Sequence, residues 1–187
     1  REQRLADARF VSKSTRDIGP VRKCLKPARR KKAGGSLRLF IETYLAAHCP
    51  LDWSPDHIQV LADLDRIVRH GGQQAIAMPR GSGKSVFCRA AVLFAMLYGF
   101  RKFVVLIAAT DGLAENELKK IKIELETNDL LNEDFPEVCQ PLRASEGSTR
   151  RFGGQLLDGE PVGLEWKAKL IQLPRIKIGS GKTKQWS

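Results

Sequence analysis

No apolar run in this 187-residue chain approaches the ~18 to 20 residues of a membrane span, and nothing near its start reads as a signal peptide. A cytoplasmic protein is the expectation. The chain has only four cysteines, Cys24, Cys49, Cys88 and Cys139, with no C-x-x-C pair among them, which excludes a zinc knuckle and a disulfide framework. Its three histidines lie in separate segments and suggest no metal cluster. Acidic excess is also lacking. Against 21 Asp and Glu stand 32 Lys and Arg, for a net charge of +11.

That charge is concentrated at one end. Residues 1–35 carry 12 Lys and Arg against 3 Asp and Glu, and residues 22–32 alone read Arg-Lys-Cys-Leu-Lys-Pro-Ala-Arg-Arg-Lys-Lys. Such a stretch can meet a nucleic-acid backbone, where each neutralised phosphate releases counterions, or it can simply be a solvated tail. No aromatic residues interleave with the cations to stack on bases. Ala33-Gly34-Gly35 reads as a flexible joint, so the expected organisation is a basic arm over 1–35, a main domain over 36–174, and a basic, unstructured tail over 175–187.

With 42% hydrophobic residues, the chain has enough apolar material for one domain with a core. The most specific pattern within it is Met78-Pro79-Arg80-Gly81-Ser82-Gly83-Lys84-Ser85. Gln74 to Met78 reads as a short buried strand before this turn, and Ser85 to Tyr98 reads as a helix that Gly99 ends. A glycine-rich turn between strand and helix aims backbone N–H groups at one point and adds the positive end of the helix dipole. Gly81 and Gly83 allow close approach of phosphates, Ser82 lies between them, Lys84 reaches the β and γ oxygens, and the Ser85 hydroxyl suits Mg²⁺. The expected ligands are therefore ATP and Mg²⁺. The general phosphate-loop pattern asks for glycine where this chain has Met78.

Two helices are expected before the loop. Ser36 caps the first, with Leu37, Phe40, Ile41, Tyr44 and Leu45 on one face; Ser54-Pro55-Asp56 starts the second, which runs to about His70 and stops at Gly71-Gly72. After the loop, Lys102 to Ala109 reads as a second buried strand and Gly112 to Thr127 as a helix, capped by Asp111. Strand, helix, strand, helix implies α/β architecture with a parallel sheet. From Asn128 the pattern loosens, and Gly163 to Trp166 and Lys169 to Leu173 are short strand candidates. The second triplet, Gly179-Ser180-Gly181-Lys182-Thr183, has no helix after it and is rejected as a phosphate site.

Hydrolysis by such a loop also needs a second apolar strand ending in an acid. None is evident: Asp111 reads as a helix cap, and Asp158 and Glu165 lie in broken runs. The expectation is a fragment, cut at both ends, that stops before its catalytic carboxylates.

The chain resembles the large subunit of the phage DNA-packaging terminase, in the branch of tailed-phage and prophage proteins. The resemblance runs over about residues 16–174: Arg16 to Pro20, Trp53 to His57, Ala77 to Ser85, Leu97-Tyr98-Gly99, Ile121 to Asn128, Asp134 to Val138, and Trp166 to Pro174. An arginine inside a phosphate loop without its leading glycine is common in that family. The resemblance implies a P-loop NTPase (RecA-like) domain, incomplete here at its C-terminal end, belonging to an ATPase that drives double-stranded DNA into a capsid and carries a nuclease domain. It implies roles for Lys84 and Ser85 at phosphate and Mg²⁺, and for Arg80 in sensing the γ-phosphate as a catalytic cation. The implied partners are double-stranded DNA, the terminase small subunit and the capsid portal, inside a bacterial host cell. The family's second acid and nuclease carboxylates would lie past residue 187, with the basic tail a frameshifted or truncated end. A superfamily 2 helicase or translocase shares the Pro79 to Ser85 pattern, and a non-catalytic nucleotide- and DNA-binding prophage remnant is the alternative outside the enzymes.

Overall fold

The computed structural model of the chain describes residues 17–145, 154–178 and 182–185, the side chains of 175–178 and 182–185 excepted. Seven α-helices account for most of the regular structure among the described residues: α1 Pro27–Ala33, α2 Leu37–Tyr44, α3 Pro55–His70, α4 Lys84–Leu97, α5 Asp111–Thr127, α6 Asp129–Asp134 and α7 Pro136–Ala144. Three antiparallel two-stranded sheets follow: β1 Leu156–Leu157 with β2 Glu160–Pro161, β3 Glu165–Lys167 with β4 Leu170–Gln172, and β5 Arg175–Ile178 with β6 Lys182–Gln185.

Helices α2, α3, α5 and α6 start where a side chain accepts from a free N–H group. The Ser36 hydroxyl accepts from Leu39 N–H at 3.2 Å, and all five residues expected on the inner face of α2 are buried. Ser54 and His57 form a reciprocal capping box at α3, which stops at Gly71, φ +88°. Thr110, rather than the expected Asp111, caps α5, because its hydroxyl accepts from Leu113 N–H at 3.3 Å.

Residues 129–144, expected to be irregular, instead form α6 and α7. Signals for both were present: the Asn128 side chain accepts from Leu131 N–H at 3.1 Å, and Pro136 stands in the first turn of α7. Their apolar residues Leu131, Phe135, Val138, Cys139 and Leu142 then close the core over α2, α4 and α5.

The core is aromatic at its centre. Phe40 lies 5.1 Å from Tyr44 and 5.4 Å from Phe94, and Tyr98 lies 5.2 Å from Phe94 and 5.3 Å from Phe135, centroid to centroid. One charge is buried among these rings. Asp134, with no exposed side-chain surface, accepts from Arg29 Nε and Nη2 at 2.6 and 2.9 Å and from the Tyr44 hydroxyl at 2.7 Å. Burial, reinforced by that hydrogen bond, pushes the Tyr44 phenol well above its usual range. Arg30 extends the network to Asp134 O and Glu137, which docks α1 against α6 and α7. Ala33-Gly34-Gly35 is no loose hinge: Tyr98 donates to Arg30 O at 2.6 Å, and a Cβ on Gly34 would fall 2.6 Å from the Tyr98 ring.

The expected α/β fold with a parallel, RecA-like sheet is not what forms. Gln74–Met78 and Lys102–Ala109, expected to be buried strands, carry no strand pairing and are largely exposed. A parallel sheet needs both faces covered by helices. Here helices bury one another, and the described sheets are antiparallel hairpins from residue 156 onward. The two short strands expected over 163–173 do form: β3 starts two residues late and runs one residue past Trp166, and β4 is trimmed at both ends. Among the described residues, no helix is long and apolar enough to cross a membrane.

Candidate functional site

The Met78–Ser85 loop leads directly into α4. Gly81 and Gly83 both have left-handed backbone, φ +81° and +83°, which a Cβ would strain. Gly83 occupies the N-cap position of α4, and no side chain caps the helix there. The first-turn N–H groups thus lack the internal partner that Ser36 or Ser54 supplies elsewhere, and the first turn contains no acid. Anions are favoured at such an end.

Each predicted residue has a definite place. Lys84 folds back over the loop, its Nζ donating to Met78 O and Pro79 O, both at 2.6 Å. Ser82 Oγ donates to Pro79 O at 2.8 Å, which tightens the turn. Ser85 is exposed at the first turn of the helix. Arg80 is exposed and, among the described residues, has no ion-pair partner. Gly81 through Ser85 are consecutive in the loop and the first turn of α4, and Arg80 directly precedes them.

The loop rests on a support that sequence reasoning read only as a helix start. A Cβ on Gly83 would lie 3.1 Å from Phe87 Cζ, and the Phe87 ring lies 6.0 Å from Trp53 and 5.6 Å from His57. The Trp53 to His57 turn therefore props the loop from beneath. Trp53 is itself fixed by donating from Nε1 to Glu42 at 2.9 Å. The clue was available in the aromatic residues flanking Ser54-Pro55 and following Lys84, whose proximity only packing creates.

Two of the carboxylates weighed as a second acid, Asp111 and Glu165, are paired with lysines. Asp111 pairs with Lys169 at 2.7 Å, and that hydrogen bond holds its carboxyl below the usual range. Glu117, which was not among those candidates, is partly buried, but its bonds from Lys120 and Arg89 still hold its carboxyl low. Asp158 sits at φ +51° in the β1–β2 turn, whose Asp158 and Gly159 N–H groups donate to Asp17 at 3.0 and 2.7 Å. Glu165 pairs with Lys167. Among the described residues, no group of three or more His, Cys, Asp or Glu side chains is placed to hold a metal ion.

In the basic arm, Arg29 and Arg30 are engaged with Glu133, Asp134 and Glu137. Arg22 donates to Asn132 at 3.1 Å. Lys23, Lys26, Lys31 and Lys32 are exposed and, among the described residues, have no ion-pair partner. The arm's cations over 1–16 and residues 179–181 of the second Gly-Lys motif lie outside the described residues, while Lys182 and Thr183 of that motif stand in β6, paired with β5.

No protein-family model, no curated protein and no solved structure matches this chain.

Proposed function

We propose that this chain is a nucleotide-binding protein whose Met78–Ser85 loop takes the phosphates of ATP–Mg²⁺. The observation that carries the reading is the uncapped start of α4, where two left-handed glycines flank Ser82 and precede Lys84 and Ser85. Lys84 would exchange its two carbonyl contacts for phosphate oxygens, and Arg80 would meet the terminal phosphate from the loop's edge. Ser85 is a single hydroxyl ligand, which suits Mg²⁺ because that ion takes its remaining ligands from phosphates and water. Bound Mg²⁺ would supply charge neutralisation at the β and γ oxygens.

Turnover is expected to be low, because Asp111 and Glu165 are paired with Lys169 and Lys167 and the first turn of α4 carries no acid. The pattern of Pro79-Arg80 within the loop supports placing the chain with terminase large subunits, as a DNA-packaging ATPase portion. Titration calorimetry with ATP–Mg²⁺ tests the binding claim: Lys84→Ala should weaken affinity at least ~10-fold, about 1.4 kcal/mol. Unchanged affinity in that variant would refute the site. Steady-state ATP hydrolysis that Lys84→Ala abolishes would overturn the low-turnover claim while upholding the site.

The exposed Lys23, Lys26, Lys31 and Lys32 support a companion reading, backbone contact with double-stranded DNA. Because Arg29 and Arg30 anchor α1 in the core, removing the whole arm would damage the fold. The informative variant changes these four lysines to glutamine together. If all four meet phosphates, the slope of log affinity against log salt should become shallower by about 3 to 4. A slope equal to that of the unaltered protein would rule out their contact with DNA.

A further inference from the structure

Gly83 has no side chain to hold it, and its backbone stands in the left-handed region at φ +83°. Among the described residues, the hydrogen bonds of residues 79–83 all stay between Met78 and Phe87, so none ties the loop to α2 or α3. What links Gly83 to them is a ring. Phe87, 2% exposed, donates its N–H to Gly83 O at 3.0 Å and lays its ring edge against the same residue, where a Cβ would meet three ring atoms at 3.1 to 3.7 Å. The Trp53 and His57 rings pack on Phe87, tilted by 48° and 76°. Both are fixed in turn: Trp53 donates from Nε1 to Glu42 of α2 at 2.9 Å, and His57 Nδ1 accepts from Ser54 N–H at 3.3 Å.

An anion site made of N–H groups works only where those groups are held within about 0.5 Å of the geometry the ligand needs. Phe87 is too buried to reach a ligand and its side chain offers no polar atom, so its effect on one passes through Gly83. The inference rests on the reading of the Met78–Ser85 loop as a nucleotide site. We propose that Phe87 is the positioning residue of that loop, with Trp53 and Glu42 holding its ring: together they aim the first-turn N–H groups of α4 at the phosphates, and the Trp53 indole registers phosphate binding. The second part follows from the loop itself. Lys84 releases Met78 O and Pro79 O when it turns to phosphate, and the resulting shift reaches Trp53 through the Phe87 ring.

Titration calorimetry with ATP–Mg²⁺ and tryptophan emission, both on the full chain, test it. Phe87→Leu keeps an apolar side chain but removes the ring, and should raise the dissociation constant ~10-fold with the helical circular dichroism unchanged. Glu42→Ala should raise it about 3-fold, whereas Glu42→Gln, which still offers an oxygen to the indole N–H, should leave it unchanged. In the unaltered chain, saturating ATP–Mg²⁺ should change the emission, and Trp53→Phe should remove that change while ATP still binds. The emission result decides the matter if Phe87→Leu does not fold. Two results would overturn this inference and leave the nucleotide site standing. One is an affinity weakened by Lys84→Ala but unmoved by Phe87→Leu and Glu42→Ala; the other is bound ATP with no emission change that depends on Trp53. No binding of ATP–Mg²⁺ by the unaltered chain would overturn both.

Discussion

Around Asp134, a buried carboxylate meets Arg29 and Tyr44, and aromatic rings fill the space between α2, α4 and α7. Around the loop and the Phe103–Ala108 run, apolar side chains face solvent, Arg80 has no ion-pair partner among the described residues, and Lys84 is held by its own loop's carbonyls. The difference separates what the chain stabilises internally from what it holds available. Buried groups in the first region lose their partners only at large cost, whereas groups in the second can exchange theirs for a ligand or another chain.

The sharpest test of that contrast is Asp134→Ala, which leaves Arg29 and Tyr44 without their shared acceptor. It should cost about 3 to 5 kcal/mol in chemical denaturation, enough to unfold a marginal domain. A loss under about 1 kcal/mol would remove the distinction between the two regions. Next is Gly34→Ala, whose added methyl group meets the Tyr98 ring at 2.6 Å and should cost about 1 to 3 kcal/mol. Paired with Tyr98→Ala, which clears that space, the Gly34 substitution should cost much less, as a double-mutant cycle would show.

Alkaline pH probes the same region more gently. Burial pushes the Tyr98 phenol up to about 12, so the folded state holds its proton more tightly than the unfolded chain, where the ordinary value is near 10. This stabilisation is complete below about pH 10 and declines as pH rises toward 12, because the unfolded chain releases the proton first. Burial also pushes the Cys139 thiol up to about 12, which adds a decline beginning near pH 9. Denaturation midpoints measured from pH 8 to 12 should therefore fall, and Tyr98→Phe should flatten the upper part of that fall. At pH 8 the same variant should lose about 1 kcal/mol with the hydrogen bond to Arg30 O. The smallest expected effect is Arg80→Ala, within about 0.5 kcal/mol of the unaltered protein, since nothing described depends on that side chain for folding.

Local chemistry made much of the helical framework legible. Ser36, Ser54 with Pro55, and Gly71 mark boundaries of α2 and α3 because caps and breakers act within one turn. The phosphate loop was legible for the same reason: Gly81, Gly83 and Lys84 announce a turn into a helix whatever surrounds it. Packing was less legible. Asn128 and Pro136 carried the signals for α6 and α7, but the loosened apolar period there obscured them.

The expected sheet failed for a different reason. Apolar runs such as Lys102 to Ala109 prescribe an extended backbone, yet a strand belongs to a sheet only when a neighbour supplies its hydrogen bonds, and that is a property of pairs. The amino-acid sequence by itself determined the loop, its two positive-φ glycines and the helix starts, all of which depend on neighbours a few residues away. Tertiary structure alone decided that Asp134 joins Arg29 to Tyr44, that Trp53 and His57 support Phe87 beneath Gly83, and that Phe103 to Ala108 has no strand partner among the described residues. Those outcomes rest on contacts between distant residues, whose energies exist only once the chain has brought them together.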